Sequence, residues 1–147
     1  MFEPDTEGAG RAMFFGRFEA GDVGSPGINP EHLLLGLFRA DRSVALLMLG
    51  TGEAIKSTRR NLFASLPRGE TVPAAAGMRV KPACARVLGF AAEEADEFGH
   101  KNIPSGHLFL GLLREDDCLA VRLLKANGLT LASARAIVPN GLGPPPV

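Results

Sequence analysis

The chain contains a second version of itself. When its 147 residues are shifted by 75 positions, the segment Ile28 to Leu49 falls on Ile103 to Leu124. Ten of those 22 positions agree: Ile28/Ile103, His32/His107, Leu33/Leu108, Leu35/Leu110, Gly36/Gly111, Leu37/Leu112, Arg39/Arg114, Asp41/Asp116, Ala45/Ala120 and Leu49/Leu124. The same shift pairs Arg11 with Arg86, Phe15 with Phe90, Glu19 with Glu94, Ala20 with Ala95 and Gly24 with Gly99. One added residue then aligns Gly52 with Gly128, Ser57 with Ser133 and Arg59 with Arg135. Self-similarity of this kind restricts a chain to packed copies of one supersecondary unit. A unit of about 70 residues buries little surface by itself, so the copies are expected to pack on each other.

Each copy reads as four short helices. The first is expected over 6–21 and again over 80–97, where Val87, Leu88, Ala91 and Ala95 recur at helical spacing. Gly24 and Gly99 follow as stop signals. The second is expected over 30–39 and 105–114, with Pro30 and Pro104-Ser105 as start signals. Its apolar residues are nearly continuous, which makes it the most buried helix of each unit. The third spans 42–50 and 117–126, and the fourth 53–66 and 130–138, with Thr130 as a candidate N-cap. No alternating pattern is long enough to build a sheet. The prediction is an all-α protein of two tandem four-helix repeats. Repeat 1 covers about 1–66, a Pro/Gly-containing linker 67–78, and repeat 2 about 79–140. Residues 141–147 read as a flexible Gly/Pro tail.

Several function classes are disfavoured. Sixteen basic residues balance sixteen acidic ones, so no overall positive field invites nucleic acid or an anionic membrane. No apolar run reaches the roughly 18 residues of a membrane span, and the N-terminus lacks signal-peptide features. A cytoplasmic protein is expected. Cys84 and Cys118 are too few for a disulfide framework and read as small buried side chains. No His or Cys pair has a metal-ligand spacing, and no cofactor is implied. The run Gly50-Thr51-Gly52-Glu53-Ala54-Ile55-Lys56-Ser57 approaches a phosphate loop, but Ile55 stands where glycine must let phosphate approach the backbone. A glycine turn before a helix explains it better. No nucleophile, base and orienting group assemble into a hydrolytic pattern. The acidic run Glu93, Glu94, Asp96 and Glu97 reads as a solvated helix face.

The aromatics of the first helix break the repeat. Phe15 matches Phe90, but Phe14 matches Gly89 and Phe18 matches Glu93. Two readings stand. Phe14 and Phe18 are exposed as a partner or self-association surface, or the helix has rotated to bury them.

The doubled motif, Glu31-His32-Leu33-Leu34-Leu35-Gly36-Leu37 and Gly106-His107-Leu108-Phe109-Leu110-Gly111-Leu112, resembles the hallmark of the Clp N-terminal (Clp repeat) domain of ClpA, ClpC and ClpB unfoldases. Met1-Phe2-Glu3 and the segment Lys81 to Leu88 sit where ClpC-type domains carry similar residues. The resemblance covers about residues 1–140. It implies an eight-helix fold with pseudo-two-fold symmetry and no catalysis of its own. Its implied partners are proteins: adaptors, unfolded or tagged substrates, and Clp ATPase or protease subunits. An alternative is a free-standing regulator or decoy competing with a full-length Clp ATPase for adaptors or ligands, and a remote one is a small helical enzyme.

The resemblance also implies sites. His32, Gly36, His107 and Gly111 are the structural hallmark, with the histidines expected to donate hydrogen bonds to nearby backbone. Phe2 matches a phenylalanine near a ligand groove between the repeats, with Val80 as its counterpart. Some ClpC-type domains carry a phosphoarginine pocket in each repeat, where a glutamate meets guanidinium and a threonine helps hold phosphate. Glu31 and Thr6 match those positions in the first copy; Gly106 and Lys81 replace them in the second. A carboxylate suits guanidinium, so the second pocket is expected to be lost, and of the two copies it is the first that keeps the residues for one. The competing reading makes Glu31 a first-turn acid stabilising its own helix.

Overall fold

A computed structural model describes residues 8–71, 78–97, 103–115 and 118–141. Eight helices are found among them, in two successive sets of four. The first set is α1 (Ala9–Asp22), α2 (Pro30–Ala40), α3 (Arg42–Leu49) and α4 (Gly52–Ser65). The second is α5 (Pro82–Glu97), α6 (Ser105–Arg114), α7 (Leu119–Ala126) and α8 (Leu131–Gly141). Helix α1 packs mainly on α2, and α5 mainly on α6. Contacts of α2 with α5, α6 and α7, and of α3 with α8, join the two sets into one core.

Local chemistry explains where the helices begin. Pro30 occupies a first-turn position in α2, where a missing N–H costs nothing. Asp41 caps α3 by accepting from the Val44 N–H at 3.2 Å, and Thr51 caps α4 by accepting from Ala54 at 3.0 Å. Thr130 caps α8 reciprocally: its Oγ1 accepts from the Ser133 N–H at 3.1 Å, and Ser133 Oγ accepts from the Thr130 N–H at 3.0 Å. The near-phosphate-loop sequence is the α3–α4 turn. Gly50 closes α3 with φ of 94°, a conformation glycine adopts without strain, and a helix rather than a strand precedes it.

The start of the fifth helix differs from expectation. Helix α5 starts at Pro82, not 80, because Arg79–Val80 form an extended strand, β2. A proline disfavours helical backbone in the residue before it, here Lys81. Strand β2 pairs in parallel with β1 (Gly27–Ile28), in register Gly27 with Arg79 and Ile28 with Val80. Lys81 N–H continues the ladder to Ile28 O at 3.0 Å. Two residues per strand are too few to show alternation, so this link between the halves is invisible to pattern reading. The start of the expected linker lies against the end of α1: Gly69 N–H donates to Val23 O at 2.8 Å and Thr71 Oγ1 to Asp22 O at 3.3 Å.

The central helices α2 and α6 are almost wholly buried. Only Glu31 and Arg39 on α2, and Arg114 on α6, reach solvent appreciably. Their glycines set the distance to the neighbouring helix. A methyl group on Gly36 would overlap the Ala12 carbonyl oxygen and come within 2.7 Å of Gly16 N. One on Gly111 would overlap the Val87 carbonyl and come within 2.9 Å of Ala91 N. The matched glycines therefore serve matched close approaches, α1 on α2 and α5 on α6.

A polar cluster is duplicated beside each approach. Arg39 pairs with Glu19 at 3.2 Å and lies 4.6 Å from the Phe15 ring centroid. Arg114 pairs with Glu94 at 3.1 Å and lies 4.5 Å from the Phe90 centroid. The acidic run is thus not a uniform solvated face. Glu94 is only 3% exposed, and Arg135 joins Arg114 on its carboxylate at 2.6 Å. The hydrogen bond from Arg135 holds the Glu94 carboxyl below the usual carboxylate range, although burial opposes it. Glu94→Gln should cost about 1–2 kcal/mol at neutral pH, because both arginines are partly solvated. A depressed carboxyl adds stability at pH values above its ordinary pKa and loses it on acidification. The gap between Glu94→Gln and wild type should therefore shrink as pH falls through that range. Urea midpoints for both proteins across the acid range measure this, and a constant gap would contradict it.

Candidate functional site

The hallmark histidine of the first repeat is a capping residue. His32 Nδ1 accepts a hydrogen bond from the Asn29 N–H at 3.0 Å, one half of a capping box at the start of α2. The expected direction is reversed, since the ring accepts from the backbone rather than donating to it. Burial lowers its pKa to about 4, so the ring is neutral, with its proton on Nε2. The second repeat cannot make this bond. Pro104 stands where Asn29 stands and has no N–H to offer. His107 is fully buried, and its backbone N–H bonds to Pro104 O at 3.0 Å.

Glu31, next to His32, has a cross-repeat role. Its Oε2 accepts from the Ala120 N–H in the first turn of α7 at 3.0 Å. A helix start has unpaired N–H groups and partial positive charge. Here Cys118 sits at the N-cap position of α7, and the carboxylate that meets the Ala120 N–H comes from the other repeat. Glu31 does lie in the first turn of α2, but the helix it caps is α7. A pocket of about 510 Å³ opens beside it, lined by Glu31, Ser65, Leu66, Pro67, Cys118, Leu119 and Arg122. It lies where the end of α4 meets the start of α7. Gly106, the counterpart of Glu31, is buried and brings no carboxylate.

The cysteines flank this region without being reactive. Burial, reinforced by the Glu31 carboxylate, pushes the Cys84 thiol up to about 12. Cys118 is half-buried rather than buried, and desolvation raises it as well. Neither is a thiolate at neutral pH. Among the described residues no cluster of His, Cys, Asp and Glu could hold a metal ion.

Phe2 and Thr6 lie outside the described residues, so their expected places in a groove and a pocket receive no structural account. Val80 is exposed on β2, and the Lys81 stem packs over Gly27. Phe14 and Phe18 are exposed, at 44% and 39%, with ring centroids 5.2 Å apart edge to face. Of the two readings of α1, the structure selects the outward one; Phe15 alone of the three packs against the core. Pocket residues Ser65, Leu66, Pro67, Cys118, Leu119 and Arg122 carried no ligand signal in the sequence. They meet Glu31 only through packing of segments far apart in the chain.

The fold and sequence can be placed among known proteins. The family model for the Clp repeat (R) N-terminal domain matches residues 8–127. The chain is 31% identical over 97% of its length to "Negative regulator of genetic competence ClpC/MecB" of Bacillus subtilis. It is 33% identical, again over 97%, to "Chaperone protein ClpC2, chloroplastic" of Oryza sativa. It spans only 18% and 16% of those two relatives. The N-terminal domain of the chaperone ClpD from Arabidopsis thaliana superimposes with a TM-score of 0.75 at 29% identity, covering 97% of this chain and 100% of that one. The Hsp104 N-terminal domain from Candida albicans shares the fold alone, with a TM-score of 0.73 at 16% identity over 94% and 92% of the two chains. No helix among the described residues is long and apolar enough to cross a membrane. By its doubled histidine–glycine motif, the eight helices among its described residues and these matches, the chain belongs to the Clp repeat N-terminal domain family.

Proposed function

We propose that the chain is a non-catalytic docking module that presents protein segments, from substrates or adaptors, to an ATP-driven Clp unfoldase of the cytoplasm. The observation that carries this reading is the pocket at the α4–α7 junction, with a carboxylate, a helix N-terminus and Arg122 around one opening. That combination suits a side chain bearing both a cation and an anion. Guanidinium would meet the Glu31 carboxylate, and a phosphoryl group would be drawn to the α7 N-terminus and Arg122. Phosphoarginine on a client protein fits both requirements, which supports a ligand pocket kept by the first repeat. Glu31 has acceptor capacity beyond its one bond to Ala120.

Calorimetry with phosphoarginine tests the proposal. Glu31→Gln keeps an oxygen for the Ala120 N–H but removes the charge. It should weaken binding by about tenfold or more, the scale of one charge-assisted contact. Glu31→Ala should weaken binding and also lower thermal stability, since it uncaps α7. Undiminished binding in Glu31→Gln would remove the carboxylate from the site, and absence of binding heat in wild type would remove the pocket reading.

A further inference from the structure

We infer that the exposed face of α1 in the first repeat is a second docking surface, selective for acidic amphipathic segments of partner proteins. The inference rests on the docking role but uses none of the Glu31 pocket.

The molecule contains its own control. Helices α1 and α5 occupy equivalent places, each on its central helix. On α5, Arg86 makes a two-point ion pair with Glu115, at 3.0 and 2.7 Å. Glu93 pairs with Arg114 at 2.8 Å. The first repeat replaces both acids: Ala40 stands for Glu115 and Phe18 for Glu93. Arg11, the counterpart of Arg86, is exposed, and among the described residues no carboxylate pairs with it. Arg17, on the same helix, stacks 5.3 Å from the Phe14 centroid. Its counterpart is the uncharged Ala92. Gly89, opposite Phe14 in the alignment, has open space around it, so packing does not demand a ring there.

The scaffold thus folds with Gly89 and Glu93 at the positions that carry Phe14 and Phe18. The rings are not required by the core, and their exposure to water carries a hydration cost that a partner would relieve. Two neutralising acids are lost and one arginine is gained on the same face. Charge complementarity then selects the occupant: apolar side chains over Phe14 and Phe18, with carboxylates toward Arg11 and Arg17. A second copy of the chain fits less well, because pairing two such faces sets these arginines against their own kind.

Fluorescence anisotropy decides the matter. The probe is a labelled helical peptide of about four turns, with leucine and phenylalanine recurring at i, i+3, i+4 and i+7 and glutamate on the other face. Its partner probe carries lysine at every glutamate position. The acidic peptide should bind and weaken with added salt, and the basic one should not bind. Phe18→Glu imports the residue the second repeat already tolerates and should weaken the acidic peptide by about tenfold or more. Arg11→Gln, a surface change that leaves the fold alone, should weaken it by roughly threefold or more. Glu31→Gln should leave it unchanged, which separates this surface from the pocket. Equal binding of both peptides, no binding of the acidic one, or equal affinity in Phe18→Glu and Arg11→Gln overturns the inference. A concentration-dependent dimer abolished by Phe18→Glu overturns it too, in favour of a second copy.

Discussion

Replacing Gly36 or Gly111 by alanine should destabilise the fold by about 2 kcal/mol, while the same change at Gly89 should stabilise it by about 0.5–1 kcal/mol. All three glycines lie inside helices, so each substitution gains the same helix propensity. The surroundings decide the sign. At Gly36 and Gly111 the added methyl would occupy the space of a facing carbonyl oxygen and crowd a facing backbone nitrogen. Backbone cannot swing aside as a flexible side chain can, so α1 must move off α2, or α5 off α6. Each shift loosens contacts along a central helix that is buried over nearly its whole length. At Gly89 nothing lies within 4 Å. Urea unfolding at neutral pH measures the three variants on one scale. Gly36→Ala at wild-type stability would show that the close approach is not needed.

Acidification from pH 6.5 toward 4 should remove roughly 3 kcal/mol of stability through His32 alone. Its pKa in the fold is about 4, against an ordinary 6.5, because burial disfavours the charged ring. Between those values the unfolded chain takes up a proton that the folded chain refuses. Stability is therefore complete above pH 6.5 and declines as pH falls, until the folded ring itself protonates near 4. Protonation would also turn Nδ1 from acceptor into donor, facing the Asn29 N–H that it now serves. His32→Gln supplies an acceptor at the same capping position without a titrating ring. Its urea midpoint should fall much less than wild type between neutral pH and about pH 4.5. Parallel pH curves for the two proteins would exclude His32 as the source.

Much of the architecture was readable from the repeat. The second, third and fourth helices of each copy lie within a few residues of their expected positions, because proline, threonine and glycine signals act locally. The matched pairs Glu19/Glu94, Arg39/Arg114 and Phe15/Phe90 were visible as identities, yet their meaning was not. They form one contact set, and the partners lie on different helices. Reading Glu94 as solvated failed for this reason: spacing along a helix does not tell which acid meets an arginine from elsewhere.

What the amino-acid sequence determined by itself was the duplication, the helical class, the buried central helices and the loss of a carboxylate at Gly106. These depend on residue type and on spacing within a single element. Tertiary structure alone decided that Glu31 caps a helix 89 residues away, that two short strands bridge the halves, and that Phe14 and Phe18 point outward. How far a helix is rotated about its axis, and which distant N–H group a carboxylate meets, are fixed by partners brought in by packing. No periodicity within one segment encodes them.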